Sequence, residues 1–230
     1  MRWLITLIVA LVAGFGGAAL WDYSGLGGYA TREYLLANPE VLPEAVDELN
    51  RRETVARLEP VRSELETPFP GAVLGNPDGK VVMVEFSDYA CGYCRRSLKE
   101  VDALIAANPD LKVVIREFPI LSENSADAAR MALAAAEQGR FAAFHNAMYA
   151  REQVNGDTIL AAANEAGLDV EKAKAAIASG RYEGQLQNNV FLGQNLAVRG
   201  TPFFVVGDRT FDGFVPQADL AEAVAEARDS

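Results

Sequence analysis

Residues 81–96 read VVMVEFSDYACGYCRR. The run Val81–Phe86 is short, apolar and rich in β-branched residues, the pattern of a strand buried on both faces. A brief loop leads to Cys91, and residues from there to Ala107 favour a helix that ends before Pro109. The next run, KVVIREF at 112–118, predicts a second strand. Strand, helix, strand at this spacing is a crossover unit, which joins parallel strands with a right-handed connection.

Working outward, residues 122–197 are almost continuously helical in pattern. Ala126, Ala129, Leu133 and Ala136 share one face, and Gly139, Gly156, Gly167 and Gly180 punctuate the block. Strand character returns at FFVV (203–206), followed by a Gly-Asp turn and RTFDGF (209–214). A last helix starts at Pro216, with Leu220, Ala223, Val224 and Ala227 facing inward. The predicted class is therefore an α/β sheet with a helical insertion.

Cys91 and Cys94 are the chain's two cysteines, and His145 is its one histidine. A closed tetrahedral zinc site takes four ligands, so no metal is expected here. A structural staple stabilises by closing a long loop, and a bridge across two residues closes almost none. Two ordinary buried thiols are the plain alternative, which the flanking strand and helix oppose. A dithiol that opens and closes remains, with no cofactor beyond a redox-active Cys91–Cys94 disulfide.

Cys91 falls at the start of a helix, where free backbone N–H groups and the helix dipole favour thiolate over thiol. Cys94 lies one turn inside on the same face, less exposed. Cys91 is thus the expected nucleophile and Cys94 the resolving thiol. Gly92 leaves room for a substrate backbone, and Tyr93 offers it an aromatic surface. Arg95 and Arg96 either attract the thiolate or are simply solvated. Glu85 is an acid inside a buried strand, rare without a partner or a task. Beneath the helix it would exchange a proton with Cys94; the alternative is a strand-end Glu that reaches water. RGTPFF at 199–204 places Pro202 just before a strand, as a plain boundary residue or a cis proline. His145, set among Phe141, Phe144, Met148 and Tyr149, is expected to be a packed helix residue rather than a ligand.

The N-terminus bears on the compartment. After Arg2, the run from Trp3 to Trp21 carries no charge. It is longer than most secretory cores and near the ~20 residues of a membrane span. Residues 1–21 are therefore expected to be a membrane anchor, or a signal segment cleaved near Gly17 and Ala19. Arg2 stays cytoplasmic and the rest of the chain is exported, into a compartment where a cysteine pair can cycle through a disulfide. DYSGLGG (22–28) reads as a hinge, and residues 29–66 as helix, turn, helix, broken at Pro39 and Pro43. Val46, Leu49 and Leu58 stripe the second helix, which either packs on its own domain or forms an oligomerisation stalk. The Pro/Gly-rich stretch 67–80 marks the boundary of a domain over 67–230. A net charge of −11 with no basic cluster argues against nucleic acid.

Taken together, VEFSDYACGYC, REFPIL at 116–121, the helical insertion and RGTPFFVVGDRTFDGFVP resemble the DsbA family of thioredoxin-fold thiol:disulfide oxidoreductases, over nearly all of residues 70–228. The resemblance implies a thioredoxin fold, a cis Pro202 facing Cys91, a Thr201 backbone that pairs with substrate as an added strand, and Glu85 in the place of the family's buried acid. REYLLANPEVLPEAVDELNRRE, CGYC and GTP are most similar to the suppressor-of-copper-sensitivity (ScsC) branch, whose N-terminus is an oligomerisation stalk. Tyr93 replaces the His between the cysteines of the oxidase DsbA, and Thr201 replaces its Val, as in disulfide isomerases. The expectation is a periplasmic oxidase or isomerase at the inner membrane, homo-oligomeric through residues 29–66. Its partners would be cysteine-containing proteins and a membrane redox partner. The alternative is a copper-binding or copper-protection protein that uses the same two thiolates, since soft thiolates hold Cu(I).

Overall fold

The computed structural model describes residues 2–23 and 26–229, with the side chains of residues 12, 18–23, 26, 27, 29 and 30 left aside. The chain divides into two compact units, residues 1–50 and 51–230.

The first unit is helical. It holds α1 (Arg2–Tyr23), α2 (Leu26–Ala37) and the first part of α3 (Val41–Leu58). α2 stops before Pro39 as expected, but α3 begins at Val41 and not at Pro43, which is accommodated inside the first turn, where no N–H is needed. The expected hinge at 22–28 differs, because helix runs to Tyr23 and resumes at Leu26; residues 24 and 25 lie outside the described residues. The expected anchor falls on α1, whose side chains from residue 18 onward are not described. Among the described residues no helix is long and apolar enough to cross a membrane. On α3, Leu42, Val46 and Leu49 are exposed.

The second unit is built on a mixed five-stranded sheet. Its strands are β1 (Val73–Gly75), β2 (Val81–Ser87), β3 (Leu111–Glu117), β4 (Phe203–Val206) and β5 (Arg209–Asp212), in the order β1-β3-β2-β4-β5. β2 and β3 are parallel and are joined by helix α5 (Gly92–Ala107); the other pairings are antiparallel. The predicted insertion is present as α6 (Glu123–Glu137), α7 (Phe141–Tyr149), α8 (Gly156–Glu165), α9 (Val170–Ala178) and α10 (Glu183–Asn195). Helix α11 (Gln217–Asp229) closes the chain. The edge strand β1 lies inside the stretch 67–80, which by sequence is only a boundary. It forms because Val73–Gly75 pairs with Val114, Val113 and Lys112 of β3.

Strand alternation divides the core. Val81 and Met83 of β2, with Leu111, Val113 and Ile115 of β3, join one cluster with Cys94, Val101 and Leu104 of α5 and with the helices of the insertion. The intervening residues Val84, Phe86 and Val114 join a second cluster with Phe118, Phe203, Leu192 and, from the N-terminal side, Leu58, Val61 and Leu65. Side chains two apart on a strand share a face. Glu85, Ser87 and Glu117 therefore follow Met83 and Ile115 to the α5 side.

This packing also corrects the stalk boundary. Leu58 is fully buried against the sheet, not part of an exposed stripe. Residues 62–66 form a short helix, α4 (Arg62–Glu66). Buried Arg116 of β3 donates to the carbonyls of Glu64, Leu65 (2.8 Å) and Thr67 (2.6 Å), which satisfies a charge held out of water. Residues 51–66 thus belong to the sheet-bearing unit and not to the segment before it.

Candidate active site

Cys91 is the N-cap of α5. Its sulfur accepts the backbone N–H of Cys94 at 3.4 Å and, as a thiol, donates to the Thr201 carbonyl at 3.1 Å. Both cysteines are free thiols. A hydrogen bond from the Cys94 side chain is the largest influence on Cys91. Burial opposes it, and Thr201 and the N–H groups of Cys94 and Tyr93 add to it; together they bring the Cys91 pKa down to about 5. Cys94 is buried, and burial drives its pKa far up. Two sulfurs one helical turn apart are therefore held in opposite protonation states.

Glu85 is buried beneath this pair, and burial pushes its pKa up to about 8. It does not reach water as a strand-end residue would. Its neighbours across the sheet are Ile115 and Phe204. The Ser87 hydroxyl lies 3.0 Å from Glu85 Oε1 and 2.7 Å from the Tyr149 hydroxyl, which in turn donates to the Asp88 carbonyl at 3.1 Å. A second buried chain runs alongside. Tyr89 Oη lies 3.1 Å from Glu117 Oε1 and 3.1 Å from His145 Nδ1. Burial raises Glu117 well above the usual carboxylate range and lowers His145 to about 3, so a chain of neutral groups is favoured.

The Thr201–Pro202 peptide bond is cis. The Thr201 hydroxyl is buried beside the Cys91 sulfur, whose thiolate it favours, and makes no well-aligned hydrogen bond among the described residues. Gly92 faces open space, since a Cβ there would meet nothing within 4 Å. Tyr93 is exposed beside it. The structure thus brings Cys91, Cys94, Glu85, Thr201 and Pro202 together, with Gly92 and Tyr93 at the rim.

Asp88 and Ser87, which carry no role in the sequence, also shape the site, and both arginines after Cys94 differ from expectation. Asp88 accepts the N–H of Ala90 at 2.8 Å and, through its other oxygen, those of Ile120 and Leu121 at 2.9 and 3.0 Å, which ties the Cys91 loop to the end of the 116–121 segment. Arg95 neither approaches the thiolate nor is simply solvated. It donates to the carbonyls of Tyr149, Arg151 and Glu152 at 3.1, 2.6 and 3.2 Å and anchors the end of α7 to α5. Arg96 stacks on Phe214 at 4.7 Å and on Tyr93 at 5.6 Å. Ser87 alone carried a usable signal, since it is two residues from Glu85 on one strand. Among the described residues no group of three or more His, Cys, Asp or Glu is gathered as a metal site.

A paired, asymmetric dithiol at the start of a helix, on a thioredoxin-like sheet with a helical insertion, defines the class. Residues 82–225 match the DSBA-like thioredoxin domain, and the chain belongs to that family. Residues 30–54 match the copper resistance protein ScsC N-terminal domain. A thioredoxin-like oxidoreductase from Silicibacter pomeroyi is 44% identical, with TM-score 0.66, covering 69% of this chain and 92% of that one. The thiol-disulfide exchange protein alpha-DsbA2 from Wolbachia pipientis is 26% identical, with TM-score 0.71, covering 77% and 97%. Proteus mirabilis ScsC in a transitional conformation is 26% identical, with TM-score 0.65, covering 86% and 93%. The Na(+)/H(+) antiporter NhaA 3 of Salinispora tropica is 29% identical over 158 residues, 67% of this chain and 24% of that protein. The chain spans about a quarter of the length of the curated relatives it matches.

Proposed function

We propose that the chain is a protein thiol:disulfide oxidoreductase acting through Cys91 and Cys94. The observation that carries this reading is the contrast between the two sulfurs: Cys91 favours thiolate at neutral pH and Cys94 favours thiol. The Cys91 thiolate attacks one sulfur of a substrate disulfide and expels the other as thiolate. Cys94 then loses its proton, attacks the Cys91 sulfur, closes the Cys91–Cys94 disulfide and releases the second substrate thiolate. Run backwards, the same steps oxidise a substrate dithiol. A pair that starts reduced serves isomerisation; a pair that starts oxidised serves oxidation. Glu85 takes and returns the Cys94 proton. The Thr201 backbone, with Pro202, Gly92 and Tyr93, receives the substrate chain.

The partners in this reading are cysteine-containing proteins and a membrane redox partner. The uncharged run after Arg2 supports placing the protein on the periplasmic side of the inner membrane, anchored or released by cleavage. Exposed Leu42, Val46 and Leu49, within the segment that matches the ScsC N-terminal domain, support a homo-oligomer formed through the part of the expected stalk that precedes residue 51.

Catalysed reduction or oxidation of a model protein disulfide tests the reading directly. Cys94→Ala is expected to accumulate mixed disulfides through Cys91, and Cys91→Ala to accumulate none. A second reading, copper binding by the two thiolates, is favoured by the match of residues 30–54 to a copper resistance protein's domain. Stoichiometric Cu(I) binding without disulfide turnover would favour that reading over the first.

A further inference from the structure

Ser87 has three polar neighbours, which is the number a hydroxyl can serve with one donor and two acceptor positions. They are Glu85 Oε1 at 3.0 Å, the Tyr149 hydroxyl at 2.7 Å, and Cys94, whose thiolate form Ser87 favours. Ser87 is buried, as are Glu85, Cys94 and Tyr149, so these groups satisfy one another in place of solvent. We propose that Ser87 is the proton bridge between Cys94 and Glu85 in the resolving step, and that Tyr149 holds its hydroxyl in line. This inference rests on the dithiol reading above and deepens it.

The proton balance closes at every atom. Before transfer, the Cys94 S–H and the Tyr149 O–H donate to Ser87 Oγ, and the Ser87 O–H donates to the Glu85 carboxylate. The Cys94 proton passes to Ser87 Oγ as the Ser87 proton passes to Glu85 Oε1. After transfer, the Glu85 O–H and the Tyr149 O–H donate to Ser87 Oγ, and the Ser87 O–H donates to the Cys94 thiolate. Ser87 is neutral in both states and keeps one donated and two accepted bonds. The Cys94 thiolate then attacks the Cys91 sulfur of the mixed disulfide. Tyr149 can turn to Ser87 at little cost, because the Asp88 carbonyl that it also reaches keeps the Cys91 N–H at 2.9 Å.

The groups facing Glu85 are Ser87 on its own strand, Tyr89 in the loop, Cys91 and Cys94 of α5, Glu117 of β3 and Tyr149 of α7. Asp88 acts on Glu117, and His145 meets Tyr89. Among these groups Ser87 is the one that hydrogen-bonds to the Glu85 carboxyl, so it offers the route by which the Glu85 proton leaves and returns.

Ser87→Ala, Ser87→Thr and Tyr149→Phe in the full chain test the bridge. Single-turnover closure of a preformed Cys91 mixed disulfide is followed from pH 5 to 9, together with thiolate absorbance of Cys91. A positioned proton acceptor contributes about 10²–10⁴-fold. Loss of the bridge is therefore expected to slow closure by at least about tenfold in Ser87→Ala and to make its rate climb with hydroxide up to pH 9, where the rate of the unaltered protein levels off as Glu85 ionises near pH 8. Ser87→Thr restores the rate, Tyr149→Phe lies between, and the titration of Cys91 stays near pH 5 in all. Closure in Ser87→Ala with the rate and pH profile of the unaltered protein overturns the proposal. So does equal slowing in Ser87→Thr, which marks a packing defect. An unaltered protein that exchanges no disulfide overturns the dithiol reading itself, and the bridge with it.

Discussion

The Cys91 sulfur lies 3.1 Å from the carbonyl oxygen of Thr201, 110 residues further along the chain. Two remote segments meet there: the start of α5, which gives the sulfur its N–H donors, and the loop before β4, which gives the thiol an acceptor. Cys91 is almost fully buried, and the next residue, Gly92, faces open space, which is the side a substrate chain can approach.

Cys91 links redox state to pH. Its pKa falls from 9.0 to about 5 in the folded dithiol form. A lowered pKa contributes stability that is fully present above the unfolded value and is lost as pH falls through the folded one. The disulfide form has no such thiol. Thermal melts of both forms are expected to show the reduced protein gaining on the oxidised one as pH rises from about 5 towards 9. A flat difference across that range would remove the argument for a thiolate at Cys91.

Glu85 carries the opposite sign. Its folded pKa is raised from 4.5 to about 8 by burial. The folded state then holds a proton that the unfolded state has released, and stability falls as pH rises between those values. Glu85→Gln stays neutral throughout. In the oxidised protein its advantage over Glu85 is expected to grow from pH 5 to 8, by at most about 1.4 kcal/mol per pH unit. Urea denaturation at several pH values measures it; parallel curves for the two proteins would count against a buried neutral acid.

Thr201→Val removes a hydroxyl that helps to lower the Cys91 pKa. The titration of Cys91 is therefore expected to move up from about 5, towards the ordinary thiol value. Thiolate absorbance followed against pH reads it, and an unchanged or lower pKa would show that the hydroxyl acts elsewhere.

Truncation tests where the sheet-bearing unit begins. A chain that starts at Arg51 keeps Leu58, Val61 and Leu65 in the core and keeps the carbonyls that hold Arg116. A chain that starts at Thr67 loses the three apolar side chains and all but one of those carbonyls. It leaves a buried guanidinium short of acceptors, at a cost of about 3–5 kcal/mol. Denaturation midpoints are expected to fall sharply only for the second. Light scattering of a chain from residue 29, expected to be oligomeric, against the chain from Arg51, expected to be monomeric, tests the stalk.

The amino-acid sequence by itself determined what depends on neighbours a few residues apart. The apolar run at 81–86 makes a strand, and the spacing of Cys91 and Cys94 puts both sulfurs on one turn of a helix. Strand alternation sends Glu85 to the face beneath them. Local backbone preference and side-chain period are enough for these. Only the tertiary structure decided that Thr201 meets Cys91, that Tyr149 of the insertion reaches Ser87, that Arg95 clamps α7, and that Leu58, Val61 and Leu65 cover the sheet. The hydrogen bonds among these contacts join residues 54 to 110 positions apart, across a sheet and a helical block. Directional hydrogen bonds at that range depend on strand order and helix packing, and no short-range pattern in the chain encodes which distant partner a buried polar group will find.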